Sequence, residues 1–172
     1  SRHKILFIFI NRKKLFIILN YLKGAHLNPA VSFSMFLLRQ LTYVQFILYS
    51  IAQFLGAFFA AVFVYIVYFN QLTKYKEGMH SMDTAGIFGT YPNDLDDKNN
   101  VFSMFFDQFF ATSLFIMTIL AITDKENTEM PHQYVALLIG TSLTIIGAAF
   151  GFNCGFAVNP ARDFGPRLFT SM

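Results

Sequence analysis

Gly155-Phe156-Ala157-Val158-Asn159-Pro160-Ala161-Arg162-Asp163 sets an arginine and an aspartate just after the apolar run Val135 to Phe152, where a hydrophobic chain should least tolerate charge. An earlier stretch, Gly24-Ala25-His26-Leu27-Asn28-Pro29-Ala30, repeats its pattern, with a glycine four residues ahead of an Asn-Pro-Ala triplet in both copies. Proline fixes φ and lacks an N–H, so it suits the first position of a helix, and asparagine is a strong N-cap. Each triplet therefore predicts a helix start. The apolar pattern from Pro29 lasts only to Arg39, and the helix from Pro160 can reach about Ser171. Each is then roughly 15 Å long, about half the hydrocarbon thickness of a bilayer. Two such half-helices in opposite halves of an inverted repeat would meet N-terminus to N-terminus near the membrane midplane. The fold class this predicts is an all-α membrane protein, an inverted-repeat helix bundle with the architecture of a pore.

Composition agrees. Of 172 residues, 55% are hydrophobic and 13% charged, with 23 phenylalanines, against roughly 25% charged in an ordinary soluble domain. Such a chain belongs in lipid. A single cysteine, Cys154, excludes an internal disulfide. The net charge of +3 is local in origin: Arg2, Lys4, Arg12, Lys13, Lys14 and Lys23 precede the first acid, and the remainder is net negative. The basic balance therefore points to no nucleic-acid partner.

In residues 1–23 the apolar runs Ile5 to Ile10 and Leu15 to Leu22 are broken by Asn11-Arg12-Lys13-Lys14. Adjacent cations at the centre of a span each cost a few kcal/mol, and a basic cluster within the apolar core also spoils a secretory signal. This atypical segment reads as interfacial, or as foreign to the native fold. Residues 24–172 form the channel domain. Within it Val44 to Phe69, Val101 to Thr123 and Gln133 to Phe152 are full spans, and Asn70 to Asn100 is a polar extramembrane loop with a little order of its own. Matched half-spans imply matched halves, with a span before each and one after the second. On that count the chain reads as a fragment lacking the first span, a normal second span and the last span.

With these residues in view, the chain resembles the major intrinsic protein (aquaporin) family and its aquaglyceroporin branch. The resemblance covers about residues 24–172. It rests on both boxes and on the words Ile51-Ala52-Gln53-Phe54-Leu55-Gly56-Ala57, Gly86-Ile87-Phe88-Gly89-Thr90-Tyr91-Pro92 and Asp163-Phe164-Gly165-Pro166-Arg167-Leu168-Phe169-Thr170. It implies a multi-pass protein of six membrane helices and two half-helices, a homotetramer with a pore in each subunit, expected in the plasma membrane. Asp163 and Arg167 resemble the glycerol-conducting branch. The resemblance also assigns a selectivity constriction to Gly147, Phe156 and Arg162. No fourth wall is carried over, because the segment around Ile8 does not look like the family's second span.

The chemistry fits passage of small neutral solutes. Either box alone is an ordinary helix cap, and the pair is the signal. Asn28 and Asn159 would present side-chain amides where two positive helix ends converge, each worth about half a charge. A water or hydroxyl oxygen can accept from such donors, while a cation meets a repulsive field. Arg162 offers five N–H donors at every relevant pH, unless it snorkels to headgroups. Gly147 leaves space, or packs a helix, and Phe156 supplies an apolar wall, so a linear polyol has a polar and a greasy side to lie against. Asp163 in a first helical turn reads as a brace. Gln53 and Asp107, polar in spans, are expected to pair inside the bundle, holding the loop carbonyls.

No catalytic constellation, phosphate loop or metal-spaced cluster stands out. The expected function is a passive channel for glycerol and water, with the lipid bilayer as solvent, no cofactor and no enzymatic step. The rival is a non-conducting truncated membrane polypeptide of the same family with at most a partner-binding role.

Overall fold

The computed structural model describes residues 26–74, 82–91, 101–124, 126–127 and 130–172. The atypical segment 1–23, the glycine of the first box, Gly24, and the acids Asp94 to Asp97 lie outside the described residues.

Both boxes open helices. Asn28 sits in an extended conformation (φ −146°, ψ 118°) and its Oδ1 accepts from the Ala30 N–H, starting α1, Pro29–Leu37. Asn159 repeats this geometry (φ −147°, ψ 105°) and starts α6, Pro160–Thr170. Between them lie α2, Tyr43–Lys74; α3, Met82–Phe88; α4, Val101–Thr123; and α5, His132–Cys154. Every regular element among the described residues is a helix. Among the described residues the full spans are α2, α4 and α5, each long and apolar enough to cross a membrane. The 32 residues of α2 reach about 48 Å at the helical rise, well beyond a ~30 Å hydrocarbon core. Its last turns therefore run through Asn70 and Gln71 into the polar layer, five residues past the apolar pattern.

Helix α6 lies along α2, and α4 packs on α5. The α2–α6 approach is close because residue 165 is glycine. A Cβ there would stand 2.8 Å from Cβ of Ala57 and 3.0 Å from the Phe54 carbonyl oxygen. One core cluster joins Val31 and Met35 of α1 to Ala111, Phe115 and Ile119 of α4, Ile146 of α5 and Val158. A smaller one joins Ala61 and Leu72 of α2 to Phe88 of α3. The remaining apolar surface turns outward: only 6% of the most apolar stretch of α2 is buried. Phe102, Phe105, Phe106, Phe109 and Phe110 form an exposed face on α4. Surface of this kind is stable in hydrocarbon and costly in water.

Candidate functional site

The N-terminal tips of α1 and α6 meet. Nδ2 of Asn28 donates to the Val158 carbonyl at 2.8 Å, and Nδ2 of Asn159 donates to the Leu27 carbonyl at 2.7 Å. Each asparagine thus bonds the backbone one residue ahead of the other asparagine. Its Oδ1 meanwhile caps its own helix, at 2.9 Å to the Ala30 N–H and 3.1 Å to the Ala161 N–H. Sequence pattern placed a helix start at each box, and the fold brings the two starts into contact across 130 residues.

Two glutamines hold the loops that carry the boxes. Gln53 of α2 donates through Nε2 to the His26 carbonyl and, at 3.0 Å, to Oγ of the fully buried Ser32. Gln108 of α4 donates to the Gly155 carbonyl at 2.9 Å and accepts from the Val158 N–H at 3.3 Å. The loop needs this clamp, since Val158 has φ +40°. A β-branched residue there costs on the order of 1–3 kcal/mol unless its surroundings enforce it. Gly155, at φ +78°, ends α5 in a conformation that favours glycine. Gln53 does what its place in a span predicts. For the second loop the clamp is Gln108 rather than Asp107, whose Oδ2 instead accepts from the Cys154 thiol at 3.4 Å. The reason is chemical: that loop presents a carbonyl and an N–H together, and an amide can serve both where a carboxylate only accepts.

A cavity of about 1730 Å³ runs from the boxes, past Val31 and Met35 of α1 and Phe115 and Ile119 of α4, to the polar turn at Asp124. Asn28, Asn159, Phe156 and Arg162 all border it. Pro29 and Ala161 are buried, Ala30 is half-buried and Pro160 exposed, so the triplets shape the helix tips while the asparagines face the space. Arg162 is exposed on the wall, and its guanidinium bonds no described residue. Gly147 does not border the cavity; it seats the Phe156 ring, whose Cε1 lies 2.8 Å from where a Cβ at 147 would stand.

Asp163 and Arg167 lie away from the cavity, in a clasp. Arg167 Nε donates to Asp163 Oδ2 at 2.8 Å, its Nη2 donates to the Thr90 carbonyl, and its guanidinium carbon lies 4.3 Å above the Tyr91 ring centre. Asp163 Oδ1 accepts from the Thr90 N–H at 2.9 Å and from the Thr90 hydroxyl. The contributions of Ser32, Gln108, Val158 and Thr90 carry little individual signal in the sequence, because each acts through backbone groups that only the folded chain brings near.

The family model described as Major intrinsic protein matches residues 13–172. The chain belongs to the major intrinsic protein family. The match begins at Lys13, inside the basic segment set apart above. Among curated relatives, the chain is 40% identical over 156 residues to Aquaporin-10 of Milnesium tardigradum, covering 88% of this chain and 37% of that protein. It is 39% identical over 151 residues to Aquaporin-10 of Homo sapiens, covering 86% of this chain and 49% of the relative. Similarity to Aquaglyceroporin-2 of Rhizophagus irregularis is 38% over 151 residues, 86% of this chain and 47% of that protein. Among solved structures, the X-ray structure of the aquaglyceroporin from Plasmodium falciparum superposes with a TM-score of 0.73 at 29% identity, covering 91% of this chain and 62% of that one. The chain spans about half the length of the curated relatives it matches. As a member of the major intrinsic protein family it is an integral, multi-pass membrane protein with the aquaglyceroporin fold.

Proposed function

We propose that this major intrinsic protein conducts glycerol, water and other small neutral solutes passively across the plasma membrane, as one subunit of a homotetramer. The observation that carries the reading is the reciprocal bonding of Asn28 and Asn159 at the border of the cavity. Two helix N-termini converge there, so a permeating hydroxyl meets donors while a cation meets the positive ends of two dipoles. Phe156 supplies an apolar wall of the cavity, Arg162 supplies donors that bond no described residue, and Gly147 makes room for the Phe156 ring. In this reading Phe156 and Arg162 line the selectivity constriction, Gly147 contributes to it by seating the Phe156 ring, and Asp163 with Arg167 braces it. The names of the relatives, two aquaporins and two aquaglyceroporins, support the same class. The rival reading, a non-conducting relative with a partner-binding role, has no comparable observation in its favour.

The test is light-scattering swelling of proteoliposomes in a glycerol gradient, with the full-length protein and its Arg162→Ala variant. The expected result is glycerol uptake well above empty vesicles, with reduced discrimination between glycerol and water and a new cation leak in the variant. Uptake equal to that of empty vesicles overturns the reading.

A further inference from the structure

Thr90 links two parts of the site. It follows α3 in a loop and does not border the cavity, yet its backbone and side chain engage the sequence neighbours of both Phe156 and Arg162. On one side its Cβ and Cγ2 lie 3.1 and 3.3 Å from where a Cβ at Gly155 would stand, so the threonine packs on the backbone immediately ahead of Phe156. On the other side its N–H and hydroxyl both donate to Oδ1 of Asp163, the residue immediately after Arg162. Its carbonyl accepts from Arg167 one turn further along α6. Charge-assisted bonds to a carboxylate are the stronger and more directional kind, and here two of them end on one oxygen.

From this placement we propose that Thr90 is a specificity-determining positioning residue, which fixes the spacing between Phe156 and Arg162 and so the width of the slot. The inference rests on the channel reading given above. A threonine suits the position because the task needs two functions at one Cβ: a methyl to press on Gly155 and a hydroxyl to hold Asp163. Gly155 is held from its other side by Gln108, through its carbonyl at 2.9 Å. The segment carrying Phe156 is therefore gripped between α4 and Thr90, and the first turn of α6 hangs from the same threonine. Removing the hydroxyl while keeping the methyl should loosen Asp163, left with the Thr90 N–H and Arg167, and with it the neighbouring Arg162, without disturbing Phe156.

Thr90→Val and Thr90→Ser separate the two functions. In proteoliposomes of the full-length protein, glycerol and water permeabilities are measured side by side at equal protein content. Valine should lower the glycerol-to-water ratio by about threefold or more, the scale of one weakened positioning interaction. Serine keeps the hydroxyl and the Cβ, the nearer of the two atoms to Gly155, and gives up only the methyl, so it should restore most of the ratio, and a serine ratio as low as that of valine overturns the inference. A role in overall stability alone would lower both permeabilities together and leave their ratio unchanged, and that result overturns the inference. If the valine variant is not recovered from membranes, Thr90→Ala takes its place, and equal ratios for alanine and serine again overturn it. An unaltered protein with no glycerol uptake would instead bring down the channel reading itself, which keeps the two failures distinct.

Discussion

The Phe156 ring occupies the volume that a side chain at Gly147 would need: a Cβ built at 147 falls 2.8 Å from Cε1 and 2.9 Å from Cδ1. The glycine is thus the seat of the ring. Even a methyl group must push the ring aside, and the ring already borders the cavity. Gly147→Ala should therefore cut glycerol permeability several-fold while water falls less. Stability should change by no more than about 1 kcal/mol, because alanine favours the helix by about as much as the ring shift costs. Paired swelling assays and thermal unfolding in detergent check both halves of this expectation.

The crossed amides predict a second result. Asn28→Ala removes the cap on α1 and strands the Val158 carbonyl in a buried place. Loss of a cap costs ~1 kcal/mol and an unmet buried acceptor ~1–3 kcal/mol, so a loss of about 2–4 kcal/mol is expected. Asn159→Ala removes the crossed bond and two cap bonds, from the Ala161 and Arg162 N–H groups, but at a more exposed site where water can replace them, and should cost less. A ranking in the opposite order, read from unfolding midpoints, would contradict the burial argument.

Gln108 offers a third. Gln108→Leu preserves volume but leaves the Gly155 carbonyl and the Val158 N–H without their partner. The strained φ of Val158 then loses its restraint. The variant should lose on the order of 2–4 kcal/mol and most of its solute flux, whereas Asp107→Asn, where among the described residues the carboxylate accepts from the Cys154 thiol alone, should stay within about 1 kcal/mol of the parent. Chemical denaturation of both variants in micelles measures the difference.

Helix packing supplies a fourth. At Gly165 a Cβ would meet Ala57 at 2.8 Å and backbone atoms of Phe54 and Phe58 at 3.0 Å. Backbone cannot step aside as a side chain can, so Gly165→Ala should destabilise by roughly 1–3 kcal/mol through separation of α2 and α6. Gly165→Leu should fail to accumulate in membranes, and Ala57→Gly should partly rescue the alanine variant. Expression level and unfolding midpoint report the rescue.

Much of this architecture could be read from residue patterns because its signals are local. Asn-Pro at residues 28–29 and 159–160 fixed where two helices begin, and the apolar run from Val101 to Thr123 matched α4 at both ends. The end of α2 was less legible. Asn70 and Gln71 break the apolar pattern, but polar residues are tolerated in a helix once it has left hydrocarbon. Choosing between Asp107 and Gln108 required knowing which backbone groups they face. Ala111, Phe115 and Ile119 mark the buried stripe of α4, and both polar residues lie within its continuation. The clasp at Thr90 was hidden for a different reason: its partner Asp163 lies 73 residues away, and nothing in a loop threonine announces a carboxylate across the bundle.

The crossed amides have a consequence for biogenesis. Asn28 leaves the ribosome 130 residues before the carbonyl it will bond, and distant pairings of this sort form late in assembly. Until Val158 arrives, the first re-entrant turn has an amide group in search of a mate, inside a medium that offers few. Assembly of the early segments is therefore completed only when the stretch carrying Val158 returns to meet them. Translation arrested anywhere before that point would leave behind a hairpin with no vestibule.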